Sequence, residues 1–209
     1  MNQNGKRSFH NVRDPDRTRR RILAAALAEF SAKGFAGARV DAIARRARGN
    51  KRLLYHYFGN KEALFSAVLR HKMAERRSWA VAISDDPAER LPFWFQNACD
   101  DTHWIRLLEW EALQRPAGKV IDQTARIAAA SDWLKRVRQR QRDGEMTSSV
   151  DPCHLALAMQ SLAMFPAAFP QMVQLATGKS INDPKFQNGY RKFLRDLAKA
   201  FKPSKWPAK

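Results

Sequence analysis

Acidic residues are scarce in this sequence: 20 Asp and Glu stand against 38 Lys and Arg, a formal net charge of +18. Such a balance disfavours cationic partners and favours polyanions, nucleic acid first among them. Cysteine is scarcer still. Cys99 and Cys153 have no metal-like or redox-pair spacing, so two reduced thiols are the expectation. The five histidines are scattered and no HExxH or CxxC pattern occurs, so neither a metal nor a cofactor is expected. No apolar run approaches the ~18–20 residues that span a bilayer. Residues 1–21 lack the apolar central segment of a secretory signal, so a cytoplasmic location with no membrane partner is expected. Strand-like alternation is missing as well, which argues against a β fold. Nucleophile motifs and phosphate loops are absent, so a helical enzyme is the weakest of the available function classes.

What is present is helical periodicity and an uneven charge. Residues 1–77 hold 19 Lys and Arg against 6 Asp and Glu, whereas residues 78–209 hold 19 against 14. A cationic first third on a milder remainder is the footprint of a phosphate-binding head on a separate body. A basic, polar arm is expected over residues 1–16. Asp14-Pro15 signals a helix start, and Ile22, Ala26, Leu27 and Phe30 recur at helical spacing until Gly34. Val40, Ile43, Ala44 and Ala47 form the inner face of a second helix. Asn50 can cap a third over Lys51–Tyr57, and Asn60 a fourth that reaches about Ala82. Further helices are expected near 88–100, 103–114, 120–142, 151–165, 169–177 and 183–201, with breaks or kinks near Pro92, Pro166 and Pro170. The tail 202–209 is basic and carries two prolines.

The second and third helices, joined by a short Gly-containing turn, match the physical requirement for setting one helix in the DNA major groove. On the third helix Leu54 and Phe58 share a face that must turn inward. Lys51 and Arg52 in its first turn can donate to guanine O6 and N7, and Leu53 can meet a thymine methyl. Tyr55, His56, Tyr57 and Lys61 are spaced to meet phosphates along the groove walls, although Tyr57 serves equally well as half-buried packing. Arg19, Arg20 and Arg21 can line the DNA backbone or remain a solvated run.

The pattern Phe30, Gly34-Phe35, Val40, Ile43-Ala44, Leu54-Tyr55-His56-Tyr57-Phe58, Asn60-Lys61-Glu62 and Leu64 resembles the N-terminal domain of the tetracycline-repressor (TetR) family over about residues 17–70. The segment Asp151–Gly178, with Phe165-Pro166 and Phe169-Pro170-Gln171, is loosely similar to C-terminal domains of some members. The resemblance implies an all-α chain with a three-helix helix-turn-helix domain at 17–62. It also implies a helical effector-binding and dimerisation domain at 63–201. A homodimer on a near-palindromic double-stranded operator, acting as a repressor, is the implied function. Two departures stand out. The family's Ala-Gly-Val turn is Ala47-Arg48-Gly49 here, which shifts the expected left-handed residue by one. The usual Ser or Thr before the second helix is replaced by Ala38 and Arg39, so Arg39 can supply a phosphate contact but not a cap, a loss of roughly 0.5–2 kcal/mol.

The body is rich in large apolar residues, as a small-molecule site requires. Trp94, Phe95, Trp104, Trp133 and Met159 are the candidate ligand contacts, with His103 and Glu109 to orient a polar group. An apolar or aromatic effector follows from that lining. The same residue types also build ordinary core. Phe165, Phe169, Leu155, Met159, Leu162, Phe193, Leu194 and Leu197 can form a dimer seam instead. An architectural DNA binder with no effector is the alternative function, and footprinting separates it from a regulator.

Overall fold

The computed structural model describes residues 14–82, 86–114 and 120–201, and ten helices and no strand occur among them. The expected arm lies outside the described residues as far as position 13, and the tail at 202–209 lies wholly outside them. The helices are α1 Pro15–Gly37, α2 Val40–Arg46, α3 Lys51–Phe58, α4 Lys61–Ala82 and α5 Pro87–Asp100. They continue with α6 Thr102–Gln114, α7 Gln123–Arg142, α8 Pro152–Ala168, α9 Pro170–Thr177 and α10 Pro184–Ala200.

Four of them start in the same way. Asp14, Asp86, Asp151 and Asp183 each place a carboxylate on the free N–H groups of the first turn, directly before a proline at the first helical position. The carboxylate satisfies orphan donors and complements the helix dipole, while the proline's missing N–H costs nothing there. Asn50 and Asn60 cap α3 and α4 in the expected way, accepting from the Leu53 and Ala63 N–H groups at 2.8 Å each.

Two cores organise the described residues. The first gathers Ile22, Ala26 and Phe30 of α1, Ile43 of α2, Leu54 and Phe58 of α3, and Leu64, Phe65, Val68 and Leu69 of α4. Phe30 meets Phe65 edge to face at 4.9 Å between ring centres. Trp104, Ile105 and Leu107 of α6 join the same core, so the N-terminal head is seated on the body through α1 and α6. The second core lies between α5, α7, α8 and α10, around Leu91, Phe95, Val137, Met159 and Leu194. Helix α4 runs without a break from the head into the body, across the expected boundary at 62 and 63.

One proline departs from expectation. Pro170 begins a new helix and Pro92 lies inside α5, within the expected span 88–100, whereas Pro166 lies inside α8, beyond its expected end at 165. A proline at 166 deprives the Leu162 carbonyl of its helical donor. The Tyr190 hydroxyl of α10 supplies the replacement, donating to that carbonyl at 3.0 Å. Tertiary structure thus meets the need that the local rule took as a stop.

Candidate nucleic-acid interface and effector cavity

Helix α3 has only eight residues, too few to hold itself together in water, so its position depends on packing. Leu54 and Phe58 are buried in the head core, and the Arg19 guanidinium lies 5.5 Å from the Phe58 ring centre. The opposite face carries Lys51, Arg52, Tyr55 and His56, all exposed. The Lys51 ammonium pairs with Asp41 of α2 at 2.9 Å, and that carboxylate holds it above its ordinary pKa. Arg39, Arg45, Arg46 and Arg48 are exposed on the flanking elements.

Other expected contacts have structural duties. The Asn50 side chain is engaged as the cap of α3. Tyr57 is half-buried against the head core, with its ring in edge contact with His56 at 5.6 Å. Leu53 is half-buried over the turn, where a Cβ on Gly49 would stand 3.1 Å from its Cδ2. Lys61 hydrogen bonds the Ala36 carbonyl at 3.3 Å and lies 4.9 Å from the Phe35 ring centre.

The turn corrects one expectation. Arg48, not Gly49, takes the left-handed conformation, with φ of +50°. A side chain there costs about 1–2 kcal/mol, which the surrounding packing offsets. Gly49 instead permits the close approach of Leu53. The start of α2 holds a second surprise. Arg39 makes no side-chain cap, but its backbone N–H donates to the buried Glu29 carboxylate of α1 at 3.3 Å, and Lys33 donates to the same oxygen at 2.9 Å. Burial alone would raise the Glu29 pKa. The hydrogen bonds from Lys33 and Arg39 outweigh it and hold the carboxyl below its ordinary value.

A cavity of about 490 Å³ opens between α4, α5, α6, α7 and α8, within the size range of small-molecule sites. Of the expected ligand contacts, Trp94, Trp104 and Trp133 line it. Phe95 and Met159 do not; both are fully buried in the second core. His103 is at the junction with the head, where its Nδ1 is 2.7 Å from the Ser31 Oγ. Glu109 is half-buried outside the described lining, and burial raises its carboxyl. The wall also contains Met164, another of the body's large apolar residues, and Met73, Arg76, Asn97, Arg126 and Gln160, which the sequence does not single out as ligand contacts. Helical spacing puts Arg76 on the face of Met73, and that was the available signal.

The junction is built from one face of α6. His103 meets the Ser31 hydroxyl, while Arg106 Nε and Trp110 Nε1 donate to the Ser31 carbonyl at 3.0 and 3.2 Å. Three side chains spaced three and four apart therefore converge on one buried residue of α1. Among the described residues there is no group of side chains able to hold a metal, and no single helix is long and apolar enough to cross a membrane.

Comparison with known proteins agrees with this arrangement. Residues 22–68 match the family described as bacterial regulatory proteins, tetR family, and residues 88–199 match a tetracyclin repressor-like C-terminal domain. The chain is 34% identical over 171 residues to the HTH-type transcriptional repressor SCO4008 of Streptomyces coelicolor, covering 80% of this chain and 87% of that protein. Identity to the HTH-type transcriptional regulator RutR of Escherichia coli is 29% over 190 residues, 88% of each. The crystal structure of the transcriptional regulator SCO4942 from Streptomyces coelicolor is similar with a TM-score of 0.71 at 30% identity, over 89% of this chain and 99% of that one. The chain belongs to the TetR family of bacterial transcriptional regulators, DNA-binding proteins that are not enzymes.

Proposed function

We propose that this regulator binds a near-palindromic operator as a homodimer, represses transcription there, and is released when a small molecule fills the cavity. The observation that carries the DNA reading is the outer face of α3: Lys51, Arg52, Tyr55 and His56 stand exposed on a short helix braced from behind by Leu54 and Phe58. Arg52 and Lys51 are the base-edge donors, with Leu53 at a thymine methyl. Arg39, Tyr55, His56, Tyr57 and Lys61 serve the phosphates, and Asn50 fixes the start of the helix.

The dimer reading is supported by apolar side chains left exposed on α8–α10. Phe165, Phe169, Met172, Leu175 and Phe193 lie at or above two-fifths exposure, more than an isolated chain ordinarily leaves on one region. Of the other seam candidates, Leu155, Met159 and Leu194 are consumed by the chain's own core. A symmetric pair sets two recognition helices about 34–36 Å apart, the repeat of the major groove on one face of B-DNA.

Release follows from α4. Its first half is part of the head core, and Met73 and Arg76 in its second half line the cavity. A ligand that prefers one setting of α4 shifts the population toward it, by no more than its difference in affinity for the two settings. Selection of bound genomic fragments followed by footprinting tests the whole reading. A discrete protected palindrome is expected, together with a dimer by sedimentation. Uniform coating of DNA would favour the architectural alternative.

A further inference from the structure

We infer that the cavity takes a flat aromatic anion, one or two rings bearing a carboxylate, sulfonate or phenolate, with Arg76 as the partner of the negative group. The inference rests on the reading of this cavity as the effector site. Its wall is mostly apolar and aromatic, and the charged side chains among its described lining are two guanidiniums, Arg76 and Arg126, with no carboxylate. Two acids beside them lie outside that lining. Glu111, itself buried, holds Arg126 at 2.5 Å, and Asp101 acts on Arg76 while pairing with Lys72 at 2.7 Å. The charge that faces the cavity is therefore positive.

Burial pushes the Arg76 guanidinium below its ordinary pKa, with Asp101 opposing. A cation already stripped of water gains more from an incoming anion than an exposed one does, because little solvent remains to screen the pair. The Trp133 indole N–H is a further buried donor with no hydrogen-bond partner among the described residues.

The same wall disfavours a cationic ligand. Aromatic cavities capture cations through ring faces, but each of these rings already has a guanidinium against one face. Arg76 lies 5.2 Å from the Trp104 ring centre, and Arg90 lies 5.6 Å from both Trp94 and Trp133. A cation entering there meets like charge. A planar guest can join these rings in the same way, as Trp94 and Trp133 already pack edge to face at 4.9 Å.

Three dyes of similar size test the assignment on the full chain at physiological salt: 8-anilinonaphthalene-1-sulfonate, its neutral counterpart N-phenyl-1-naphthylamine, and the cation thioflavin T. The anion is expected to saturate one site per chain and to bind about ten-fold more tightly than the neutral dye. Arg76→Gln should remove that advantage and leave the neutral dye within about two-fold, while Arg76→Lys, which keeps the charge but not the planar fork, retains part of it. Thermal melts of both variants establish that they are folded. Equal binding of the neutral dye, tighter binding of the cation, or indifference of the folded Arg76→Gln to the anion would overturn the anion assignment and leave the cavity reading intact. Ala130→Trp, which fills the cavity, separates the two. If that folded variant still binds the dyes as before, the cavity is not their site and the effector-site reading fails.

Discussion

Gly34 and Trp110 are in such close contact that a Cβ on the glycine would stand 2.7 Å from the indole ring. Gly34 also has φ of +68° and ψ of 177°, a conformation closed to other residues. The chain needs glycine here for two reasons at once, and both serve the seating of the head on α6. Gly34→Ala should destabilise the protein by about 2–4 kcal/mol, through backbone strain and overlap together. A fall in melting temperature of roughly 5–15 °C, at fixed protein concentration, is the expected reading for a chain of this length. A shift under 2 °C would show that the junction yields easily.

The Glu29 carboxyl gives the head a dependence on acid. Its folded pKa is depressed below 4.5. Its contribution is therefore complete above the unfolded value and is lost as the pH falls through the folded one. Glu29→Gln should cost about 1–3 kcal/mol at neutral pH, because the Arg39 N–H and the Lys33 ammonium lose a charged acceptor. The variant should also lose stability less steeply than the parent below about pH 4.5. Parallel slopes in urea titrations across that range would contradict the assignment.

Tyr190 and Pro166 are coupled through the Leu162 carbonyl. Tyr190→Phe should cost about 1 kcal/mol in the parent chain. In a Pro166→Ala background the restored backbone N–H supplies the helical bond, and the same change should cost less than half as much. A double-mutant cycle measures the difference. Additive costs would mean that the hydroxyl does not stand in for the missing donor.

The two thiols should react very differently. Burial pushes the Cys99 thiol up to about 12, so at pH 8 it is ionised to about one part in ten thousand. Cys153 is exposed and lies on the cavity wall. A maleimide at pH 8 should therefore label one cysteine per folded chain, at Cys153 by peptide mapping. Saturating anilinonaphthalene sulfonate should slow that labelling several-fold. Equal labelling of Cys99, or no protection by the dye, would contradict the burial of the one and the placement of the other.

The head was readable from sequence because its rules are local. Apolar spacing, Asn50 and Asn60 as caps, and Leu54 opposite Arg52 all concern residues a few positions apart. What escaped the reading is long-range. The capping of the Arg39 N–H comes from Glu29, ten residues away, and the rescue of Pro166 comes from Tyr190 on another helix. The cavity divides in the same way. Trp94, Trp104 and Trp133 were legible as large apolar side chains, but Phe95 and Met159 share that chemistry and face the core. Nothing in composition separates a side chain facing a void from one facing its neighbours. Arg76 does not stand out in the sequence because a guanidinium on an apolar wall contradicts the pattern by which walls are recognised. His103 reads as a ligand contact in the sequence because the Ser31 it meets lies 72 residues earlier.

Base preference at Arg52 tests the outward face of α3 most directly. Binding of Arg52→Ala to the selected operator and to a set of single-base variants should be weaker by about 1–3 kcal/mol, with discrimination lost at one base pair per half-site and kept at the others. An Arg52→Ala chain that is folded and retains the full base preference of the parent would contradict the placement of this helix in the major groove.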